Sequence, residues 1–497
     1  MDQPTQPLPT SVDVVVAGAG PTGLVVAIML EQAGLDVLVV DRAGQPGTDP
    51  RASILHVRTA ELLAGLGLGP TMVEHAEPIS SATYFDVGLP VCDLRFESLG
   101  SDYAALGISQ VDLEQALVDR LEAIGGVVHR PVAVESVTAD GAGAIVEVTR
   151  SGGDPLPIAS RFVIGCDGAT SSIRQQAGLE GSGGDVPESF VVANIELSGD
   201  LDRSAMSLFA ADDGFLVLSP LPDNLWRYTA TADRDASVPT PEQLQLVLSE
   251  RGPRTSSLTL GRPHDIGRYR LRRTIAKRLR SGGLLLAGDA AHTFSPAGGQ
   301  GMNTGIADAI NLGWKLALVA TGRAHDELLD TYNTERRRAA RDAAERVERF
   351  GGALSLHNPV ARGLRDAVAL LASRVDVLSS PVLRGLAGFD TVYTKGAVMK
   401  GKPGGRRWGS VGERLDGLVA SMLTDNAHHI LVADPDEASD YRRLADRYHA
   451  PTHVEVIESG GRSGAALVRP DGHIGWLGNQ GSIGDLEAHL DRWLTRT

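Results

Sequence analysis

At 497 residues with 42% hydrophobic side chains, the chain is long enough for two or three domains with sizeable cores. A formal net charge of −15 argues against a nucleic-acid partner, whose phosphates demand basic patches. Only two cysteines, Cys92 and Cys166, with no CxxC pair, exclude a disulfide scaffold or cysteine-rich metal site and fit a reducing compartment. Residues 1–11 are polar and proline-bearing, without a signal-peptide core, and no run approaches ~18 apolar residues. A cytoplasmic chain with no membrane span and no bound metal is therefore expected.

Val12-Asp13-Val14-Val15-Val16 is β-branched and almost wholly apolar, as a strand buried on both faces should be. Gly18-Ala19-Gly20-Pro21-Thr22-Gly23 follows at once, and residues 22–32 predict a helix rich in Leu, Val, Ala and Ile. Gly18 permits the tight turn, Gly20 lets backbone approach a pyrophosphate, and Gly23 allows close helix–strand packing. The helix N-terminus adds N–H donors and a positive dipole end. Residues 37–40 form a second buried strand ending in Asp41, eighteen residues after Gly23, where an acid can hydrogen-bond a ribose 2′-hydroxyl. An acid there suits the AMP half of FAD or NAD and disfavours a 2′-phosphate. Gly65-Leu66-Gly67-Leu68-Gly69 lacks the dinucleotide spacing and is a decoy.

The α/β pattern pauses after this. Residues 107–123 predict an amphipathic helix with Gln110, Leu113, Leu117 and Leu121 at helical spacing. Residues 187–272 alternate strands and turns, and Leu221-Pro222-Asp223-Asn224 is a turn between residues 214–219 and 225–230. A mostly antiparallel sheet inserted into the first domain is expected, joined by residues 76–104. Phe209, Phe215, Trp226, Tyr228 and Phe294 are assigned to an aromatic-walled pocket between the domains.

Gly283-Leu284-Leu285-Leu286-Ala287 delivers Gly288-Asp289, a carboxylate at a strand end, as Gly165-Cys166-Asp167-Gly168 does earlier. Residues 295–301 form a glycine-rich loop before a helix over 302–319, whose first amides can face a developing anion. His292 is assigned a structural role at the loop turn, and Arg336-Arg337-Arg338 a solvated helix face. Residues 396–412 read as a linker. Strands at 429–433, 453–457 and 464–468 and helices at 438–448 and 485–495 then complete a C-terminal unit without cysteine.

The three glycine-flanked segments, in this order and spacing, resemble the group A FAD-dependent aromatic hydroxylases of the p-hydroxybenzoate and phenol hydroxylase type, aromatic polyketide branch. The resemblance covers residues 12–345. It implies a Rossmann-like α/β FAD-binding domain (1–75, 105–186 and 273–350) and an inserted antiparallel-sheet substrate domain (76–104 and 187–272). A helical connection (351–395) and a C-terminal thioredoxin-like domain without CxxC (396–497) would follow. Carried over, Gly18, Gly20, Pro21, Thr22 and Gly23 would hold the FAD pyrophosphate, and Asp41, Arg42 and Val134 the adenosine end. Arg51, Gln110 and Asp289 would approach the phosphates and ribityl chain, and Asp167 and Gly168 both FAD and the nicotinamide. Gly301, Met302 and Asn303 would offer amides to the flavin pyrimidine edge, and Pro296 would line the flavin–substrate region.

The implied reaction is hydroxylation of a polycyclic aromatic polyketide through a C4a-hydroperoxyflavin. FAD is bound, NADPH or NADH docks transiently, and O₂ is co-substrate. No side chain is assigned as catalytic base, because Tyr228 and Tyr269 form no recognisable relay. Baeyer–Villiger insertion beside a ketone and inactivation of an aromatic antibiotic remain alternatives, and a homodimer is possible.

Overall fold

The computed structural model describes residues 7–497 apart from 48–51, 142, 151, 234–236, 295–298, 357, 375, 394–399, 402–408, 416–419, 424–425 and 458–463. Arg51, Pro296 and most of the 396–412 linker therefore lie outside the described residues. No described helix is long and apolar enough to cross a membrane.

Strand β1 (Ser11–Ala17) carries the valines that bury completely, and helix α1 (Pro21–Gln32) begins on a proline already set for helical φ. Strand β2 (Val37–Val40) is buried throughout. Strands β3 (Ser81–Asp86) and β4 (Leu89–Arg95) come next, then helix α2 (Gln110–Ala123). Ser109 caps α2 by accepting from the Asp112 amide, and Leu113, Leu117 and Leu121 form its buried stripe. The first sheet continues with β5 (Val128–His129), β6 (Val132–Asp140), β7 (Gly143–Arg150) and β8 (Leu156–Gly165). Short helix α3 (Ser172–Gln176) follows.

The second sheet uses β9 (Ser182–Ser198), β10 (Ala205–Ala211), β11 (Gly214–Pro220) and β12 (Leu225–Ala232). Helix α4 (Pro241–Arg251) and β13 (Thr259–Ile275) complete it, with β14 (Leu284–Leu286) returning to the first sheet and β15 (His292–Thr293) to the second. The β11–β12 turn has Asp223 and Asn224 at φ 58° and 59°, the type I′ geometry that matches strand twist.

The first sheet runs β14-β8-β1-β2-β5 with every pair parallel, and β7 and β6 attach antiparallel beside β8. The second runs β15-β13-β9-β12-β11-β10-β3-β4. It is antiparallel except for the parallel pair β10–β3, so residues 81–95 extend it as an edge. Strand β9 enters this sheet at Ser182 and β13 runs on to Ile275, so boundaries drawn at 186/187 and 272/273 fall within strands of the second sheet.

Helices α5 (Gln300–Ala320), α6 (Leu328–Leu354), α7 (Pro359–Arg374) and α8 (Asp376–Ala387) follow. The C-terminal unit holds β16 (His428–Val432), α9 (Ala438–Ala445), β17 (Thr452–Val456), β18 (Ala465–Val468), β19 (Ile474–Gly478) and α10 (Ile483–Leu490). Strand β19 pairs with β18 and has no counterpart among the strands expected from the sequence.

This unit docks through buried charge. Glu335 of α6 accepts from Lys315 Nζ at 2.8 Å and from Arg469 Nη1 at 2.9 Å, and Arg469 also pairs with Asp471. Asn311 and Trp314 of α5 donate to Asp471 at 3.1 and 3.3 Å. Arg414 donates to Glu61 through Nε at 3.0 Å. Arg336 departs from its expected solvated role: it is 2% exposed and donates to Asp308, Thr304 and Tyr393. A long helix lying between core and docked domain buries part of what its sequence presents as one charged face.

Candidate active site

Two helix N-termini and the inward face of the second sheet enclose one cavity of about 920 Å³. That volume is at the upper end of the ~300–1,000 Å³ usual for small-molecule and cofactor sites. Its cofactor-like wall comprises Gly20, Pro21 and Thr22 from α1, Gln110 from α2, and Gly168, Asp289, Gly299, Gly301 and Met302 from loops and α5. The first amides of α1 and α5 have no intrahelical acceptors, and both helix dipoles place positive potential at this wall.

The glycines divide by purpose. Gly18 has φ 107°, and a Cβ there would stand 2.3 Å from the Cys166 carbonyl oxygen; a Cβ on Gly23 would stand 2.0 Å from the Gly18 oxygen. Those two close the turn. Gly20, Gly168 and Gly301 instead have no atom within 4 Å of a Cβ position and lie on the cavity wall. A flavin dinucleotide fits these residues, because backbone there is open to a ligand. One carboxylate oxygen of Asp167 points the same way, being buried with no hydrogen-bond partner among the described residues.

Other carboxylates have protein partners. Asp41 accepts from the Ala19 and Ala43 amides, both at 2.8 Å, which fixes the acid against the glycine turn. Asp167 Oδ2 accepts from the Ser172 amide at 2.7 Å and so caps α3. Asn303 accepts from the His56 amide at 2.9 Å and donates to the carbonyls of Ile54 and Gly299, leaving only its own amide to offer. Asp41 and Arg42 follow β2, and Val134 stands in β6 beside Val148; none of the three lines the cavity. The chain past β2 is joined to β5 and β6 by the Asp41 amide on His129 and the Val132 amide on Asp41.

The aromatic pocket needs correction. Phe215 and Phe294 line the cavity, whereas Phe209, Trp226 and Tyr228 do not. These three belong to the opposite face of the sheet, packed with Leu244 and Leu248 of α4, and Phe209 stacks on Phe85 at 4.5 Å. Alternation along a strand sends Trp226 and Tyr228 one way and Arg227 and Thr229 the other. The sheet residues lining the cavity include Met206 and Leu208 of β10, Phe215, Val217 and Ser219 of β11, Arg227 and Thr229 of β12, Val192 of β9, and Tyr269 and Arg270 of β13.

Sequence reading missed Arg227 and Arg174. Arg227 is 3% exposed, donates to the Ala52 carbonyl at 3.4 Å, and has its pKa lowered by burial to about 10, with Tyr269 and Asp265 opposing. It stays charged at neutral pH. Arg174 donates to the carbonyls of Ala290 and Ala169 at 2.8 and 2.7 Å, stapling the Asp289 loop to the Asp167 loop. An arginine inside the apolar strand at 225–232 was the available signal for the first; nothing local marked the second. His292 is 1% exposed and bonds Asp308 at 2.6 Å, which also receives the Gly288 amide at 3.1 Å. It ties β15 to α5 and does not reach the cavity.

Comparison with known proteins agrees with this geometry. Residues 11–347 match the FAD binding domain family, and residues 414–497 match the aromatic-ring hydroxylase C-terminal family. The chain is 30% identical to 6-methylpretetramide 4-monooxygenase of Streptomyces rimosus, over 96% of this chain and 92% of that one. It is similar in structure to the anhydrotetracycline hydroxylase OxyS of Streptomyces rimosus (TM-score 0.77, 27% identity, 97% and 99% of the two chains covered). The aromatic hydroxylase CabE from angucycline biosynthesis is similar too (TM-score 0.76, 27% identity, 97% and 99% covered). With both family matches and a relative similar over nearly its whole length, the chain belongs to the FAD-dependent aromatic-ring hydroxylases.

Proposed function

We propose that this monooxygenase hydroxylates a polycyclic aromatic polyketide, using NADPH or NADH and O₂ as co-substrates. The observation that carries the reading is one cavity of about 920 Å³ whose glycine-lined wall adjoins Met206, Leu208, Phe215 and Val217. In this reading the first sheet is a Rossmann-like FAD domain, the second a substrate domain, and the C-terminal unit a thioredoxin-like fold whose lack of cysteine leaves it a packing role.

Gly18, Gly20, Pro21, Thr22 and Gly23 would hold the FAD pyrophosphate, and Asp41, Arg42 and Val134 the adenosine end. Gln110, Asp289, Asp167 and Gly168 would hold the ribityl and phosphate region, and the Gly301, Met302 and Asn303 amides the pyrimidine edge. When bound, the flavin supplies electron transfer and oxygen insertion. The chain's own work is electrostatic and steric. The N-terminus of α5 stabilises negative charge placed against it. Met206, Leu208, Phe215 and Val217 keep water from the substrate face. Arg227 holds the segment at Ala52 and adds a charged donor to a wall that also carries Tyr269 and Arg270.

The test is direct. Purified chain is expected to be yellow, to oxidise NAD(P)H faster with one fused-ring scaffold, and to yield a phenol one oxygen atom heavier. A protein that takes up no FAD, or one that no fused-ring scaffold stimulates, overturns the reading. A lactone product assigns Baeyer–Villiger insertion instead.

A further inference from the structure

We infer that Phe350 of α6 and Leu386 of α8, which belong to neither sheet, set the size of ring system that the substrate compartment accepts. The inference rests on the polycyclic-substrate reading above and goes further by locating selectivity.

Phe350 and Leu386 both line the cavity, together with Met206, Leu208, Phe215 and Val217 of the second sheet. All of these except the two helical residues sit on strands whose intervening side chains fill another core. Leu216 and Leu218, between the inward residues of β11, pack against α4 with Phe209 and Tyr228. The sheet wall is therefore held from behind, and its backbone is fixed by the register Leu208 to Val217 to Thr229. Close-packed layers of this kind resist adjustment to a larger ligand.

The helical wall is built differently. Phe350 and Leu386 are half-buried and pack on one cluster with Met206, Leu208 and Phe215, anchored by Val347, Leu354, Leu383, Ala387 and Phe389. Two large apolar side chains thus line the compartment from helices anchored in that cluster through Val347, Leu354, Leu383 and Ala387. Truncating either enlarges the compartment without touching a strand pair or the cofactor wall. The fused-ring edge of a substrate would meet Phe350 and Leu386 on one side and the sheet on the other.

The experiment uses the full-length, FAD-loaded protein with Phe350→Ala, Leu386→Ala and Leu386→Trp. Dissociation constants for three-, four- and five-ring aromatic polyketides are measured by titration calorimetry, and products are followed alongside. Apolar pocket changes of this size shift discrimination by about tenfold or more. The alanine variants are expected to move preference by about that factor toward the larger scaffold, and Leu386→Trp toward the smaller. Where an alanine variant fails to retain flavin, Phe350→Leu and Leu386→Val take its place with a smaller shift in the same direction. An unchanged preference order in flavin-loaded variants overturns the inference while leaving the polyketide reading intact. A wild-type protein that binds none of the scaffolds overturns both.

Discussion

Gly23 and Gly301 look alike in sequence, yet their surroundings give them opposite sensitivities. A methyl group on Gly23 would collide with the Gly18 carbonyl, a backbone atom that cannot swing aside; on Gly301 it would meet nothing. Gly23→Ala is therefore expected to lower both the melting temperature and the flavin content per chain. Gly301→Ala should melt no lower than wild type, since alanine is the better helix former, while binding FAD more weakly because the methyl group occupies ligand space. Absorbance of purified protein and thermal melts separate the two. An equal loss of stability in both variants would show that the Gly301 wall is packed by protein. The same contrast applies to charged residues. Asp41 was readable as a strand-end acid and Asp167 as an acid next to glycine, but that each would first serve an amide of its own chain followed only from the folded turn.

At the scale of elements, the alternating period of a strand decided which aromatic residues reach the substrate compartment. The sequence located strands at 214–220 and 225–232 nearly to the residue, and the type I′ turn between them was announced by Asp223-Asn224. It did not say which face was covered by α4. Tyr228 shows the cost of the covered face: its hydroxyl is buried without a hydrogen-bond partner among the described residues. Tyr228→Phe is accordingly expected to leave stability unchanged or raise it by about 1 kcal/mol, because an unsatisfied buried hydroxyl is removed while the ring stays. Ring-size preference should not move. Denaturant unfolding with substrate titration checks both, and a loss of several kcal/mol would reveal a hydrogen bond for that hydroxyl.

Across the whole molecule, the C-terminal unit is held to α5 and α6 by ionised groups that have left water. Burial opposes ionisation of Glu335, but Arg469 and Lys315 outweigh it and hold the carboxyl down at about 2, against an ordinary 4.5. His428 and His473 lie in the same region, and burial pushes them down to about 3 and about 4 from 6.5. For the histidines the unfolded chain binds protons that the folded chain refuses, so their share of stability is complete above pH ~6.5 and falls away as pH drops toward 4 and 3. The Glu335 share is complete above its unfolded value and is lost between 4.5 and 2. Stability measured by denaturant titration should therefore fall in two stages below neutrality. Glu335→Gln should cost about 3–5 kcal/mol at pH 7, since Lys315 loses its carboxylate and Arg469 keeps only Asp471, and should shrink the lower stage, to which Asp471, also held down by Arg469, still contributes. A pH profile unchanged in shape would remove Glu335 from the docking contact.

The sequence by itself determined the local pieces and the chemistry of the family. The valine strand, glycine turn and helix at 11–32 and the strand-end acids follow from short-range rules of backbone geometry and hydrogen bonding. Tertiary structure alone decided which surfaces meet. That Arg336 is buried, that Phe209, Trp226 and Tyr228 turn from the cavity, and that Phe350 and Leu386 enter it depends on contacts between segments far apart in the chain. A side chain's burial is set by what packs on its face, and the periodicity of its own element names the face without naming its neighbour.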